Sequence, residues 1–373
     1  MTLLTRWDAW LRRIPTPVYL ALLLAALVVH TGVWAMPNYG LTAMQVADPF
    51  GNPFGPTHEA DYLLGTWFVW FVTWLIGIAG PRRTVLFTIG LAVVFLAAGV
   101  AVIRARVSPE HRRLAWLLFF ALPAAGAPLY WAGGDSMTLL LMVLALAMVD
   151  RPLLAVLPGI ALGMQHSEQG LVGLLGVGVL VLLRWVLGRH DRRLGWFVVW
   201  WGAGIVLGRF ALRGIWAVCG VDPQNSRFQA AGHSLVKFVF QFLGHPGVIV
   251  WSGLGVVWLV VALLWQGAWR TYTPLVVACL VVLATIPVVE DQTRVFAIVA
   301  FPVVMLGLVT DERALTDLPG WIIGALALAW LAVPWIWVWR GIVFDGVFPQ
   351  GVAWAMHQLT GHGYIPRPFG QFL

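Results

Sequence analysis

The chain has 373 residues, of which 60% are hydrophobic and only 10% are Asp, Glu, Lys or Arg. Soluble domains carry about 25% charged residues, so this composition excludes a water-covered globular protein and indicates a chain embedded in a bilayer. The net charge of +7 includes no lysine- or arginine-rich run of the kind that binds nucleic acid, which excludes that partner.

Apolar stretches that could cross a bilayer recur along the whole chain. Because a spanning helix needs about 20 apolar residues, we expect an all-α polytopic membrane protein with about eleven transmembrane helices in a single transmembrane domain, 1–373. The first helix is expected to be retained, since no convincing signal-peptide cleavage site follows it. In chain order the predicted spans are 16–35, 84–103, 114–132, 136–149, 152–165, 169–186, 194–213, 246–266, 273–289, 295–309 and 319–339.

The stretch 62–80 is apolar enough to span but could instead lie along the interface. If it spans, the arginine-rich loops around Arg104 and Arg189 fall outside; if it does not, they share the cytoplasmic side with the N-terminus. The positive-inside bias favours the second topology. We therefore expect a plasma-membrane protein with a first outer loop at 36–83 that carries an interfacial helix, and a long outer segment at 214–245.

This topology gathers most of the acids and histidines on the outer side. Asp135 begins an apolar helix, Glu168 lies between two apolar helices beside His166, and the pair Glu290-Asp291 separates two apolar spans. Ionisable groups at membrane depth usually face a cavity or a partner. The alternative is that each is a polar residue in an ordinary tight turn.

The first outer loop is rich in Gly and Pro and has no basic residue until its end. Its carboxylates Asp48, Glu59 and Asp61, with His58, could supply a general base above a membrane cavity. Such a loop is expected to be shaped by turns. The alternative is a plain connector.

Four of these features resemble the GT-C glycosyltransferases, which are polytopic enzymes that transfer sugars from polyprenyl-phosphate carriers at the outer membrane face. Asp48 occupies the place of the family's early Asp, and the Trp-rich stretch 62–80 follows it. The sequence from Gly134-Asp135-Ser136 through Asp150-Arg151-Pro152 to Gln165-His166 is similar to the family's acidic helix, cytoplasmic turn and returning helix. Glu290-Asp291-Gln292-Thr293-Arg294 resembles the late outer turn that lies near the lipid phosphate.

The resemblance implies a small member without a soluble C-terminal domain, which transfers a sugar to an acceptor hydroxyl by a single inverting displacement. Its partners would be a polyprenyl-phosphate-linked sugar, a glycan, lipid or protein acceptor, and membrane lipid. No cofactor is certain, and a divalent metal is left open because the loop lacks a clean Asp-x-Asp pair.

The expected roles follow from the chemistry of the transfer. Asp48 is the expected base, and the alternative catalytic or substrate-binding residues are Glu59, Asp61, His58, Asp135, His166 and Glu168. Arginine suits the departing phosphate because its planar fork makes two charge-assisted hydrogen bonds. The expected phosphate-binding residues are Arg294, Arg209, Arg213, Arg227 and Lys237, with Glu290 and Asp291 close by. Arg294 could instead form a local salt bridge with Glu290 or Asp291.

Two rival functions remain. A secondary transporter would place its acids near the middle of the bilayer and usually has an internal repeat, of which none is visible. A lipid-linked polysaccharide polymerase or ligase would share the outer site. The depth of the acids therefore discriminates between transport and transfer.

Overall fold

The structure is a computed structural model, and it describes residues 3–34, 39–55, 63–223, 226–311, 313–316, 318–319, 321–333, 336–339, 342–344 and 350–361. Three residues of the first outer loop that were predicted as site residues, His58, Glu59 and Asp61, lie outside this description.

The described chain is almost entirely helical. The helices in chain order are α1 (Leu3–Arg13), α2 (Thr16–Thr31), α3 (Tyr39–Ala47), α4 (Trp67–Leu75), α5 (Pro81–Arg106), α6 (Arg112–Ala121), α7 (Pro123–Tyr130), α8 (Asp135–Ala147), α9 (Val156–Val186), α10 (Arg192–Val218), α11 (Ser226–Gly244), α12 (Pro246–Leu254), α13 (Val257–Gly267), α14 (Trp269–Leu283), α15 (Gln292–Thr310), α16 (Arg313–Thr316), α17 (Ile322–Ala332) and α18 (Gln350–Thr360). A two-stranded antiparallel ribbon, β1 (Trp337–Trp339) and β2 (Ile342–Phe344), is the exception to the all-α prediction.

Several of these helices are long and apolar enough to cross a bilayer. By length and composition there are five among the described residues: α5, α10, α15, α14 with its 3-10 extension (Trp269–Val288), and α9 with the 3-10 turn before it (Pro152–Val186), although α9 is interrupted at His166. The number rises to seven if two bent pairs, α6 with α7 and the end of α11 with α12, each count as one span. A multi-pass membrane protein is thus supported, whereas eleven crossings are not established.

Three predicted spans are interrupted. The span 114–132 bends by 47° between α6 and α7, where Pro123 has no N–H to continue the helix. The span 246–266 breaks at Gly255, whose φ of 57° ends α12. The span 319–339 stops as a helix at Ala332, and its last three residues are the aromatic and β-branched strand β1, which suits a pleated conformation.

The helix α9 is a tight hairpin centred on His166. His166 has φ −160° and ψ 79°, which are not helical values. A Cβ built on Gly170 would lie 3.1 Å from Leu162 Cγ, although eight residues of straight helix extend about 12 Å. The chain therefore reverses at His166, and the expected separation of 152–165 from 169–186 corresponds to two arms, 156–165 and 167–186.

Glycines bring the first arm against α10. A Cβ built on Gly163 would lie 2.1 Å from the Ile205 carbonyl oxygen, and one built on Gly208 would lie 2.0 Å from that of Ile160. Backbone packs directly on backbone here, as small residues allow in membrane helices. This contact fixes the His166 turn beside Arg209 on α10.

The first outer loop and the long outer segment are both partly helical. In the first loop α3 precedes α4, and α4 has only nine residues where a crossing needs about 20, which favours the non-spanning topology for 62–80. Within the predicted outer segment 214–245, α10 continues to Val218 and α11 occupies most of the remainder.

Three neighbouring helices share two chemically different ends. The helix α8, the second arm of α9 and α15 begin beside Asp135, Glu168 and Asp291, and this end is called the acidic end. Their other end is called the arginine end, because three arginines donate hydrogen bonds there. Arg106 donates to the Ala147 carbonyl oxygen at 3.1 Å, Arg184 to Thr310 Oγ1 at 2.8 Å and Arg189 to Asp311 at 2.8 Å.

The core between these ends is apolar. Phe95 on α5 lies at the centre, with its ring 5.7 Å from that of Phe119 on α6 and 5.6 Å from that of Phe301 on α15. All three side chains are fully buried. The polar chemistry of the interior is therefore displaced to the two ends.

Candidate functional site

A nearly buried ion cluster joins the starts of α8 and α15. Arg294 donates through Nη1 to Asp135 Oδ2 and through Nε to Asp291 Oδ2. The side chains of Asp135 and Asp291 are 7% and 9% exposed, and that of Arg294 is 17% exposed. The guanidinium is thus held on two sides and keeps limited contact with the exterior.

Two tryptophans complete this cluster. The Arg294 guanidinium lies 5.1 Å from the centre of the Trp131 ring, a cation–π distance, and the Trp131 ring meets that of Trp337 edge-on at 4.9 Å. Trp337 Nε1 donates to Asp291 Oδ1 at 2.6 Å. The strand β1 is docked on α15 by the bond from Val338 N to Thr293 Oγ1 at 3.0 Å. The ribbon therefore fixes one carboxylate of the cluster.

The cluster has more negative than positive groups. Two carboxylates share one guanidinium, which would leave one uncompensated negative charge in a poorly solvated place. Burial raises the pKa of the Asp291 carboxyl, because desolvation outweighs the opposing effects of Arg294 and Trp337. A proton held by the Asp291 carboxyl would balance the charge of the cluster.

A second polar group is formed by the His166 turn and α10. His166 Nδ1 lies 3.4 Å from Glu168 Oε2, and Glu168 Oε1 lies 3.2 Å from Arg209 Nη2. Arg209 Nη1 also donates to the Leu64 carbonyl oxygen at 3.1 Å. Glu168 keeps 31% of its side chain exposed, so this group is more open than the Arg294 cluster.

Gln165 connects the two groups. Its side chain is fully buried, its Oε1 accepts from Val69 N at 2.9 Å, and its Nε2 donates to the Gly134 carbonyl oxygen at 2.9 Å. The first bond satisfies a free N–H at the start of α4. Because Gln165 precedes His166 and Gly134 precedes Asp135, this one amide places both groups at the acidic end.

The same place holds a strained residue, Thr66. It is the one non-glycine residue of the described chain with a positive φ, 152°, which is a costly conformation for a β-branched side chain. Thr66 Oγ1 accepts from Trp70 Nε1 at 2.9 Å, and its methyl lies 2.8 Å from where a Cβ on Gly134 would be. Local strain of this kind concentrates at functional sites.

Asp48 lies in an exposed turn after α3. Its Oδ1 accepts from Phe50 N at 3.3 Å. Pro49, the next residue, accepts from Trp67 Nε1 at 2.7 Å through its carbonyl oxygen, which ties the turn to the start of α4. Residues 48–55 of the loop therefore form turns, whereas 39–47 form α3. Asp48 lies at the end of α4 that also bonds Gln165. No bond among the described residues joins its carboxylate to Arg294 or Glu168.

The other predicted site residues are dispersed. Arg213 on α10 and Lys237 on α11 are exposed, and Glu290 is half-buried before α15. The backbone of Arg227 belongs to α11, while its side chain lies outside the description. No group of three His, Cys, Asp or Glu side chains with metal-ligand geometry occurs within the described ranges.

The aromatic and amide members of the site were not predicted. Gln165 belongs to a short polar run between two apolar helices, and such a run could have indicated a functional role. No feature of the neighbouring sequence distinguishes Trp131 or Trp337 from the other tryptophans. No protein-family model, curated protein or solved structure matches the chain at a significant level.

Proposed function

We propose that the chain is a membrane glycosyltransferase that moves a sugar from a polyprenyl-phosphate carrier to an acceptor hydroxyl at its acidic end. The observation that carries the proposal is the connection, through Gln165, of the Arg294 cluster with the group of His166, Glu168 and Arg209. Two arginines, a partly exposed carboxylate and a histidine thereby lie at one end of the helices. This combination suits a negatively charged, hydroxyl-rich substrate.

Arg294 is the proposed ligand of the carrier phosphate. Its hydrogen bonds to Asp135 and Asp291 use Nη1 and Nε, and Nη2 lies outside these two bonds. A guanidinium already held in place stabilises the growing charge of a leaving phosphate without reorganisation. Asp135 and Asp291 are positioning residues in this proposal, with Trp131 supporting the guanidinium from its face.

Asp48 is the proposed general base. Its carboxylate is exposed, and catalytic hydrogen bonds often tighten only when substrate is bound. It takes the proton of the acceptor hydroxyl while the acceptor oxygen bonds the anomeric carbon and the carbon–oxygen bond to the phosphate breaks. The polyprenyl phosphate leaves with the bonding electron pair, and a single displacement inverts the anomeric centre. His166, Glu168 and Arg209 are placed to bind sugar hydroxyls.

Orientation and partners belong to the same proposal. The arginine end faces the cytoplasm and the acidic end faces the outside of the cell membrane, in keeping with the positive-inside bias. The acceptor is a glycan, a lipid or a protein. A polymerase or ligase of lipid-linked polysaccharide would use the same site and differ only in taking a second lipid-linked glycan as acceptor.

A secondary transporter is favoured by one separate observation. The breaks at Leu122–Pro123 and at Gly255 meet in the interior, since a Cβ on Gly255 would lie 3.3 Å from Pro123 Cγ. Broken helices that face each other are typical of transport sites. The acids argue the other way, because Asp135 and Asp291 lie at helix starts rather than at mid-helix.

Proteoliposomes containing the purified protein test the two functions together. With a panel of polyprenyl-phosphate sugars, a transferase releases polyprenyl phosphate and glycosylates an added acceptor, whereas a transporter accumulates solute in the lumen and releases none. D48N is expected to lower transfer by about 100-fold or more. The matched control is D150N, at the arginine end, where Asp150 is 64% exposed and pairs with Arg106. Full activity in D48N would reject Asp48 as the base, and no release from any donor would reject the transferase.

A further inference from the structure

A long apolar groove opens at the arginine end, far from the acidic end. Its walls come from α6, the second arm of α9, α13, α14 and α15. Including its open side, it contains about 620 Å³ of space not filled by atoms. Along α13 it extends from Val257 to Leu264, about 10 Å of helix. Most of its lining residues are Leu and Val.

One end of the groove is polar. Arg184 and Asp311 line it there, together with Thr271 and Tyr272. Arg184 bonds Thr310 Oγ1 through Nη1, and its Nη2 lies 3.8 Å from Asp311. Its Nε is buried and has no hydrogen-bond partner among the described residues. A buried donor without an acceptor is costly, and an anionic oxygen is the acceptor that a guanidinium binds best.

Among the described residues, this polar end of the groove, called the mouth, carries more positive than negative charge. Arg189 bonds Asp311 at 2.8 Å, and Arg270, which is exposed, directly precedes the groove residue Thr271. The Arg270 guanidinium lies 5.3 Å from the centre of the Trp269 ring, and Trp269 is 58% exposed. Within the described part of the chain, two arginines thus pair with the carboxylate of Asp311 and a third precedes the mouth residue Thr271 in sequence. The exposed Trp269 is of the type that anchors helices at the lipid headgroups.

We propose that this groove is a structural binding site for an anionic phospholipid of the leaflet at the arginine end. One acyl chain lies between α13, α14 and α15, and the phosphate lies at the mouth, within reach of Arg184 and beside Arg189 and Arg270. Basic pockets between transmembrane helices on this side of a membrane commonly hold anionic headgroups. The site is independent of the proposed transfer reaction, whose phosphate-binding residue is at the opposite end.

The groove can be filled without disturbing the backbone. Gly307 lines it on α15, and a Cβ there would make only an ordinary contact, 3.5 Å, with Leu275 Cδ1. G307L therefore puts an isobutyl group into the space assigned to the acyl chain. The control is G178L on the second arm of α9, where a Cβ would lie 3.7 Å from Val198 Cγ1, outside the groove. Arg184 is not varied, because it also bonds Thr310 and its loss would mix binding with folding.

Native mass spectrometry of the delipidated full chain measures the binding. Phosphatidylglycerol, phosphatidylcholine and undecaprenyl phosphate are added separately and in pairs. The wild type and G178L are expected to retain one phosphatidylglycerol with at least about fivefold preference over phosphatidylcholine. R270Q is expected to bind phosphatidylglycerol about fivefold more weakly than the wild type. G307L is expected to show no preference between the two lipids.

Three results would overturn the proposal. Equal retention of phosphatidylglycerol and phosphatidylcholine by the wild type would remove the role of the arginines. Unchanged retention in G307L would remove the role of the groove. Displacement of phosphatidylglycerol by an equal amount of undecaprenyl phosphate would show that the groove holds a prenyl chain instead.

Discussion

Arg294 and Asp135, which are 159 residues apart in the chain, form one ion pair that ties the first residue of α8 to the first turn of α15. The pair also involves Asp291, so that one guanidinium serves two nearly buried carboxylates. Because two carboxylates share one guanidinium, the guanidinium is expected to contribute more to stability than either carboxylate.

Removing the guanidinium is expected to destabilise the protein more than removing one carboxylate. R294M leaves two nearly buried carboxylates without a partner and should cost about 3–5 kcal/mol. D291N leaves the neutral pair of Arg294 with Asp135 and can still accept from Trp337, so it should cost about 1 kcal/mol. Thermal unfolding in detergent measures the destabilisation by each variant. Equal destabilisation by R294M and D291N would contradict a cluster in which two carboxylates depend on one guanidinium.

Two fully buried glutamines offer a second comparison. Gln165 has both ends of its amide bonded, to Val69 and Gly134, whereas neither polar atom of Gln45 on α3 has a partner among the described residues. Q165L should cost about 2–5 kcal/mol, because the Val69 N–H loses its acceptor in a fully buried place and the Gly134 carbonyl oxygen loses one of its donors. Q45L removes an unsatisfied amide and should be neutral or stabilising.

Hydrogen exchange shows which part of the chain is destabilised by Q165L. In Q165L the amide of Val69 and its neighbours at the start of α4 should exchange faster than in the wild type, and in Q45L they should be unchanged. Equal protection of α4 in the two variants would show that Gln165 does not hold that helix end.

The convergence at the acidic end was predictable because it depends on chain direction alone. Asp135, Glu168 and Arg294 each stand at the start of an apolar helix, and helices that cross in the same direction bring their starts to the same face. The arginine loops supplied the direction. This much follows from counting spans and charges, and the structure does place these three residues at one end.

The partners of those residues were not predictable in the same way. Gln165 bonds Val69 across 96 residues, and Trp337 bonds Asp291 across 46, so each contact depends on how helices pack. The breaks were missed for a related reason. A run that is apolar on all sides has no periodicity, and it cannot show that a helix stops at Leu122 or that a strand begins at Trp337.

The contact of the hairpin with α10 should tolerate no added carbon. G163A would place a methyl 2.1 Å from the Ile205 carbonyl oxygen, so the arm must move away, at a cost of about 1–3 kcal/mol. The matched control is G214A on α10, where a Cβ meets nothing within 4 Å and helix propensity improves by up to about 1 kcal/mol. Opposite shifts of the unfolding midpoint are expected, and a stabilised G163A would contradict the close approach of the two helices.

The orientation of the two ends can be measured with the cysteines of the chain, both of which are free. Cys219 is exposed just after α10, at the acidic end, and Cys279 is buried in α14. A membrane-impermeant maleimide should therefore label the wild type in intact cells through Cys219 alone. The matched variant C219S/G188C moves the exposed thiol to the turn before α10, at the arginine end, where a Cβ on Gly188 meets nothing within 4 Å.

That variant should stay unlabelled in intact cells and react once the membrane is permeabilised, because α10 (27 residues, about 40 Å) is long enough to place its two ends on opposite sides of a bilayer. The φ of +82° at Gly188 strains a cysteine there, so unfolding of C219S/G188C is measured alongside to show that the variant is folded. If C219S/G188C is labelled in intact cells and the wild type is not, the chain has the inverse orientation. The acidic end would then face the cytoplasm, and a donor presented on the outer leaflet could not reach Arg294.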